Sequence, residues 1–140
     1  MKNLIFILTF LISSSAYSQY CAFFDFKTDE PEMVISSLNG MMQTEWAKNI
    51  EGTKSLFAYQ FNGTNEATHS VQFCFPNEAA YAKFSSTWNS SVVAQIFGEK
   101  LNKYSEPVNQ ALNTPVWFQN DWTPDQVFFI YQMDVSDPAT

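Results

Sequence analysis

His69 is the only histidine in the chain and the first candidate for chemistry. Its unperturbed pKa, near ~6.5, lies close to neutrality. If the loop between two predicted strands covers residues 62–66, the alternation of those strands places Tyr59 opposite His69. Such a pair could exchange a proton with a ligand bound beside it. The alternative is a half-buried structural histidine that only hydrogen-bonds its neighbour.

Two tryptophans form a second group of candidate ligand-binding residues. Trp117 and Trp122 flank Asp121 in the stretch PVWFQNDWTPD. Their rings could stack on a sugar or an aromatic ligand, or close over a site as a lid. They could equally close one end of the core or pack against a second subunit.

The chain lacks the residue groupings that support several other chemistries. It has no Ser/His/Asp set, no carboxylate pair of diagnostic spacing and no His/Cys/Asp/Glu cluster with metal-ligand spacing. We therefore expect no metal and no cofactor, and the pattern identifies no catalytic residue. The chain contains no arginine and has a net charge of −7, so we expect no binding to nucleic acid.

The two cysteines, Cys21 and Cys74, lie in predicted strands at residues 20–27 and 67–75. Pairing them across antiparallel strands sorts the apolar residues onto one face of the sheet. That face carries Ala22, Phe24, Phe26, Val71, Phe73 and Phe75. The opposite face carries Cys21, Phe23, Asp25, Ser70, Gln72 and Cys74. This register predicts a Cys21–Cys74 disulfide, with two free buried thiols as the alternative.

Residues 1–18 have the pattern of a signal peptide. One lysine precedes the apolar run at residues 4–12, which is too short to span a bilayer. Ala16 and Ser18 then suit cleavage before Gln19. A membrane anchor or a buried strand is the alternative. We expect a secreted or periplasmic protein without stable membrane insertion, with one domain at residues 19–135 and a flexible tail at 136–140.

The predicted elements follow the order β-α-β-β-α-(α)-β. The strands are expected at residues 20–27, 55–61, 67–75 and 127–135, and the helices follow Pro31, Asn77 and Ser91. This order predicts an α+β, ferredoxin-like domain with a four-stranded antiparallel sheet, strand order 4-1-3-2, and helices on one face.

The second face of this predicted sheet is too apolar to remain bare in water. We expect this second face to carry Phe23 of the first strand. The second strand is expected to contribute Leu56, Ala58 and Gln60 to the same face. A second subunit or the segment 105–126 could cover it. Whether that segment is a lid, an extra strand or a dimer arm stays open.

The element order, with the stretch FPNEAAYAKFSSTWNSSVVAQIFGEKL at residues 75–101, resembles the dimeric α/β-barrel superfamily, including its antibiotic-biosynthesis monooxygenase-like domains. The resemblance implies a homodimer joined through the open sheet faces. It also implies a small-ligand site between the sheet and its helices. The superfamily includes small oxygenases and haem-binding enzymes, but His69 lies in a predicted strand, so no haem site carries over.

Two functions follow as hypotheses. The first is an exported, dimeric binding or interaction module, with a small apolar or aromatic ligand as a possible partner. The second is a small-molecule enzyme of the monooxygenase-like type, working from a pocket near His69 and Tyr59. The lack of converging titratable residues favours the first.

Overall fold

The computed structural model describes residues 19–115, 127 and 129–131 of the chain. The element order is β1 (Tyr20–Lys27), α1 (Pro31–Met42), α2 (Glu45–Lys48), β2 (Thr53–Ala58), β3 (His69–Phe75), α3 (Glu78–Trp88), α4 (Val92–Tyr104) and β4 (Glu106–Asn113). The strands form one sheet of order β2-β3-β1-β4, in which every pairing is antiparallel. This is the ferredoxin-like α+β fold expected from the sequence.

The central pair of strands has the predicted register. Cys21 lies opposite Cys74, Phe24 opposite Val71, and the register runs without a break from Tyr20 to Phe26. The disulfide between Cys21 and Cys74 is present, with an S–S distance of 2.04 Å. Both predictions are confirmed, because the register that sorts the apolar side chains is also the one that brings the two sulfur atoms together.

The fourth strand of the sheet is not the one predicted. Residues Glu106–Asn113 form β4 and pair with β1, so the first part of the segment 105–126 belongs to the sheet, and its residues 116–126 lie outside the described residues. Residues 127 and 129–131 are in no strand, and the rest of the predicted strand at 127–135 lies outside the described residues. The sequence EPVNQALN was missed because an edge strand exposed to water needs no apolar alternation and tolerates Pro107.

The helices begin where short polar side chains can cap them. Asn77 accepts a hydrogen bond from the Ala80 amide at the start of α3, and Ser91 accepts one from the Ala94 amide at the start of α4. These caps satisfy backbone donors that the first helical turn leaves without partners. They fix the phase of each helix, so that Phe84 of α3 and Phe97 of α4 turn toward the sheet.

The core lies between the sheet and its helices. Its buried aromatic members come from both sides of this layer: Phe26, Phe73, Phe75, Phe84 and Phe97. The half-buried Trp88 packs among them, with its ring centroid 5.1 Å from that of Phe84. The predicted helix-covered face of β1 and β3 is therefore confirmed.

The β2–β3 hairpin differs from the prediction by one residue. Ala58 faces His69, and the backbone N–H of Tyr59 binds the carbonyl oxygen of Thr68. The connecting loop is longer than predicted and is closed by asparagine side chains, since Asn62 donates to Ala67 O and Asn65 accepts from Ala67 N. A slip of one residue exchanges the two faces of a strand, so Phe57 and Tyr59 lie on the open face.

Candidate functional site

A cavity of about 410 Å³ lies on the helix-covered side of the sheet, between the strands and helices α3 and α4. We call it the helix-side cavity. Its apolar wall consists of Phe24, Phe26, Val71, Phe73, Tyr81, Phe84, Trp88, Phe97 and Leu101. The volume and the aromatic lining are typical of sites for small organic molecules.

Helical spacing explains how α3 and α4 build this wall. Phe84 and Trp88 are four residues apart on α3, and Phe97 and Leu101 are four apart on α4, so each pair lines one side of its helix. Trp88 stacks on Phe24 of β1, with ring centroids 6.5 Å apart and an angle of 11° between the planes. Two parallel aromatic rings therefore bound the cavity where α3 packs against β1.

Gly98 lies in α4 between Phe97 and Leu101, and it also lines the cavity. A Cβ atom built there would meet no heavy atom within 4 Å, so the missing side chain leaves open space. Polar groups lie at the same cavity, among them Asn89, Asn102 and Gln110. Amide side chains can hydrogen-bond the polar part of a ligand without carrying a charge.

A second cavity, of about 610 Å³, lies on the open side of the sheet. We call it the open-face cavity. The residues that line it come from the sheet, from the β2–β3 loop and from the chain after β4: Cys21, Phe23, Phe57, Ala58, Tyr59, Gln60, Phe61, Asn62, Ser70, Gln72, Asn113, Thr114, Pro115, Val127, Phe129, Ile130 and Tyr131. The sheet separates the two cavities, and none of the described residues lines both of them.

A row of polar side chains crosses the open face beside this cavity. Asp25 of β1 is only 5% exposed, and its carboxylate accepts hydrogen bonds from the Tyr59 hydroxyl at 3.0 Å and from Asn109 Nδ2 at 3.4 Å. Ser70 faces Asp25 across the β1–β3 pair. A buried carboxylate needs such donors, because its charge is costly to remove from water.

The protonation of Tyr59 follows from this arrangement. Burial and the neighbouring Asp25 carboxylate raise the pKa of the Tyr59 hydroxyl, so it keeps its proton and donates to Asp25. The nearby Ser70 hydroxyl acts in the opposite direction on this pKa. Among the described residues, Ser70 Oγ is nevertheless the one buried side-chain polar atom without a hydrogen bond.

His69 lies on the opposite side of the sheet from Tyr59. Its ring stacks on that of Phe26, with centroids 5.8 Å apart, and its Nδ1 lies 2.9 Å from Thr68 Oγ1. Burial lowers the pKa of His69, which favours the neutral imidazole. The predicted Tyr59–His69 pair is wrong, and His69 lines neither of the two cavities.

The remaining candidate residues are only partly within the described structure. Tyr59 lines the open-face cavity, whereas Trp117 and Trp122 lie outside the described residues. Across residues 19–115, 127 and 129–131, no three His, Cys, Asp or Glu side chains come together to form a metal site. No helix in the same part of the chain is long and apolar enough to cross a bilayer.

The superfamily resemblance implied a small-ligand site between the sheet and its helices, but the residue pattern alone did not show that a cavity remains there. The spacing of four residues between Phe84 and Trp88, and between Phe97 and Leu101, predicts apolar helix faces, and a continuous core is the simpler interpretation of such faces. The signal that could have revealed a cavity was Gly98, a residue without a side chain in the middle of an apolar helix face.

The chain is similar to solved structures of ferredoxin-like proteins. One is a candidate antibiotic biosynthesis monooxygenase from Nitrosomonas europaea, with a TM-score of 0.49 and 9% identity over 71% of this chain and 89% of that chain. Another is SnoaB, a cofactor-independent oxygenase from Streptomyces nogalater, solved as a single-substitution variant, with a TM-score of 0.49 and 9% identity over 74% and 96%.

A third is a dimeric protein of unknown function and ferredoxin-like fold from Bacteroides fragilis, with a TM-score of 0.41 and 13% identity over 69% and 92% of the two chains. No protein-family model matches the chain, and no curated protein matches it. The three likenesses are to structures between 9% and 13% identical to this chain. They concern the fold and carry no information on a substrate.

Proposed function

We propose that this protein binds a small apolar or aromatic molecule in the helix-side cavity, and that it does so as an exported homodimer. The observation that carries the first part is the cavity itself. It is walled by aromatic rings, among them the stacked pair Phe24 and Trp88, and there is open space at Gly98 where a side chain could be placed. Aromatic surfaces of this kind bind flat or branched apolar groups through dispersion and burial.

The lining favours binding over acid–base catalysis. Of the described residues that line the cavity, only Asp25 and Tyr81 are ionisable, and the Asp25 carboxylate itself lies in the polar row of the open face, where Tyr59 and Asn109 donate to it. General acid–base catalysis needs a group that titrates near the working pH within reach of the ligand. The enzyme hypothesis based on Tyr59 and His69 loses its support, because these residues lie on opposite sides of the sheet.

The homodimer is supported by apolar side chains around the open-face cavity. Phe61 and Phe129 contact each other, with ring centroids 6.1 Å apart, yet they are 76% and 69% exposed. Ile130 and Tyr131 are also exposed there. A cluster of large exposed apolar groups beside a sheet face is typical of an interaction surface. We propose that a second copy of the chain covers it.

Export is supported by the apolar run at residues 4–12 and by the disulfide, since such bonds persist in oxidising compartments. Expression of the full chain in a bacterium, followed by fractionation and mass spectrometry, tests this proposal. We expect an extracytoplasmic protein whose first residue is Gln19. A cytoplasmic protein that retains residues 1–18 would contradict it.

Binding in the helix-side cavity is tested with the variant Gly98→Leu. The new side chain enters the space that a ligand would occupy, while the helix gains a residue of higher propensity. The matched control is Gly40→Leu, which makes the same change at an exposed glycine of α1 that does not line the cavity. The probe is N-phenyl-1-naphthylamine, an uncharged aromatic fluorophore whose emission rises in apolar surroundings.

We expect the probe to bind the wild type and Gly40→Leu equally, and to bind Gly98→Leu at least about tenfold more weakly. Circular dichroism and thermal melts establish that all three proteins are folded. Equal affinity for the wild type and Gly98→Leu would contradict binding in the helix-side cavity. Absence of binding to the wild type, tested with a panel of uncharged aromatic compounds, would also contradict it.

A further inference from the structure

The open-face cavity lies beside the apolar surface that the proposed function assigns to a second copy of the chain, and its described lining residues differ from those of the helix-side cavity. One chain forms it, with β1 and β3 beneath and residues 127 and 129–131 along its side. Its volume of about 610 Å³ is within the range of small-molecule sites. The sheet lies between it and the helix-side cavity, so the two cavities open on opposite faces of the sheet.

Its sides are apolar. Phe23 of β1, Phe57 of β2 and Phe61 of the β2–β3 loop line it from the sheet, and Phe129 and Ile130 line it from the later segment. An apolar chain or ring placed among these side chains would leave water and stabilise the complex in proportion to the buried area. The body of a fitting ligand is therefore apolar.

Its floor contains polar groups on β3. Gln72 and Ser70 are both buried, at 7% and 2% exposure, and both line the cavity. Within the described part of the chain, Ser70 Oγ makes no hydrogen bond of good geometry, although it lies close enough to the Tyr59 hydroxyl to lower the pKa of that group. Buried polar atoms nearly always have a hydrogen-bond partner. A hydroxyl, ketone or amide group of a ligand at this floor would provide a partner for the Ser70 hydroxyl.

The charge around the cavity decides which polar group fits. No lysine is among the described residues that line it, and the chain has no arginine. The buried Asp25 carboxylate lies directly beside Ser70 in the cross-strand pair. A carboxylate or phosphate at this floor would meet a like charge without a counter-ion, which disfavours anions. Gln72 offers both an N–H donor and a carbonyl acceptor to an uncharged group.

We propose that the open-face cavity binds an uncharged amphiphile. Its apolar body lies against Phe57, Phe61 and Phe129, and its hydroxyl, ketone or amide group faces Gln72 and Ser70. This proposal does not depend on ligand binding in the helix-side cavity.

The test compares octan-1-ol with octanoate at about pH 8, where a carboxylic acid is ionised. The two molecules have the same apolar body and differ in the charge of the head group. Binding to the disulfide-intact protein is followed by backbone amide shifts in ¹⁵N NMR spectra. We expect octan-1-ol to move the resonances of Phe23, Phe57 and Gln72 and to leave those of Gly98 and Asn102 unchanged. Octanoate should bind at least about tenfold more weakly.

Two variants sharpen the test. Gln72→Leu keeps the volume of the floor but removes its amide, so it should reduce the difference between the alcohol and the carboxylate several-fold. Gly98→Leu, which fills the helix-side cavity, should bind octan-1-ol like the wild type. Should Gln72→Leu fail to fold, the comparison of the two ligands on the wild type still decides the matter.

Three results would overturn the proposal: no octan-1-ol binding up to its solubility limit, equal affinity for octanoate, or shifts confined to residues around Gly98. The last result would mean that the alcohol occupies the helix-side cavity. Loss of binding in Gly98→Leu would support the proposed function and contradict this one, so the two proposals can fail separately.

Discussion

The Tyr59 hydroxyl donates a hydrogen bond of 3.0 Å to Oδ1 of Asp25, reaching across β3 from the end of β2 to β1. This contact links strands that are not neighbours in the sheet. It is also the shorter of the two hydrogen bonds that the buried Asp25 carboxylate accepts, since Asn109 Nδ2 lies 3.4 Å from its other oxygen. The open face is therefore held by a polar network as well as by the backbone ladder.

The variant Tyr59→Phe tests this network. It removes one hydroxyl and leaves the ring, so a buried carboxylate loses its closer donor. We expect the free energy of unfolding to fall by about 1 to 3 kcal/mol, measured by urea denaturation. The control is Tyr131→Phe, in which the tyrosine is 80% exposed and the change should stay within about 0.5 kcal/mol. Equal stability of the two variants would refute a role for the Asp25 contact.

A second prediction concerns two glycines with positive φ. Gly52 has φ of 97° and passes so close to β3 that a Cβ atom would lie 2.0 Å from the backbone oxygen of Cys74. Gly63 has φ of 55° and open space around it. Gly63→Ala should cost about 1 to 2 kcal/mol for the left-handed conformation alone. Gly52→Ala must also displace the backbone and should cost clearly more in the same urea experiment. Similar costs at both positions would contradict the close approach.

The sequence predicted the centre of the sheet better than its edges. The pairing of β1 with β3 was predictable because both strands carry an apolar face that only one register aligns, and the two cysteines agree with that register. The strand β4 was not predictable from alternation. It pairs with β1 on one side and exposes most of its residues, so its composition resembles a loop.

The candidate site was predicted less well, because it depends on details that no periodicity encodes. The pairing of Tyr59 with His69 required the length of the β2–β3 loop, which Asn62 and Asn65 set through their own hydrogen bonds. The helix-side cavity depends on how α3 and α4 pack against the sheet. Apolar spacing showed which residues face inward, and it could not show that a gap would remain beside Gly98.

The disulfide provides a third prediction. It joins residues 53 positions apart, and closing a loop of that length restricts the unfolded chain. In the chain-entropy model this contributes about 4 kcal/mol to stability. We expect urea unfolding of the oxidised protein to occur at a clearly higher concentration than unfolding in the presence of a phosphine reductant. A double variant, Cys21→Ser with Cys74→Ser, should unfold at the lower concentration under both conditions. If the reductant has no effect on the wild type, the bond is absent or does not restrain the unfolded chain.

The pKa of His69 leads to a fourth prediction. Burial lowers this pKa in the folded state, so the unfolded chain binds a proton more readily than the folded one as the pH falls below about 6.5. The contribution of His69 to stability is therefore fully present above that pH and is lost as the pH falls through the lowered value. Thermal melts between about pH 8 and pH 5 should show a smaller loss of stability for His69→Gln than for the wild type.

The same variant separates a structural His69 from a functional one. The ring stacks on Phe26 and lines neither cavity, so replacement should reduce stability without changing the affinity for the aromatic probe. The probe titration is repeated on His69→Gln under conditions in which it is fully folded. An unchanged melting temperature together with lost probe binding would contradict the structural role.

The last prediction concerns the proposed homodimer. Phe23 lies at the centre of the open face, between Gln72 of β3 and Ala111 of β4. A lysine in its place would put a charge into an interface that excludes water, which is costly without a partner. We expect light scattering to give about twice the mass of one chain for the wild type, and a mass near that of one chain for Phe23→Lys. Met33→Lys, on the exposed side of α1, is the matched control and should stay dimeric.

Circular dichroism must show that Phe23→Lys is folded before its mass is interpreted. If the variant is folded and keeps the mass of the wild type, the open face is not the interface, and the exposed Phe61 and Phe129 need another explanation. If Met33→Lys also dissociates, the helices contribute to the contact and the proposed geometry is wrong. A wild type that scatters as a single chain at every accessible concentration would exclude the homodimer, while ligand binding in either cavity would remain to be decided by its own experiment.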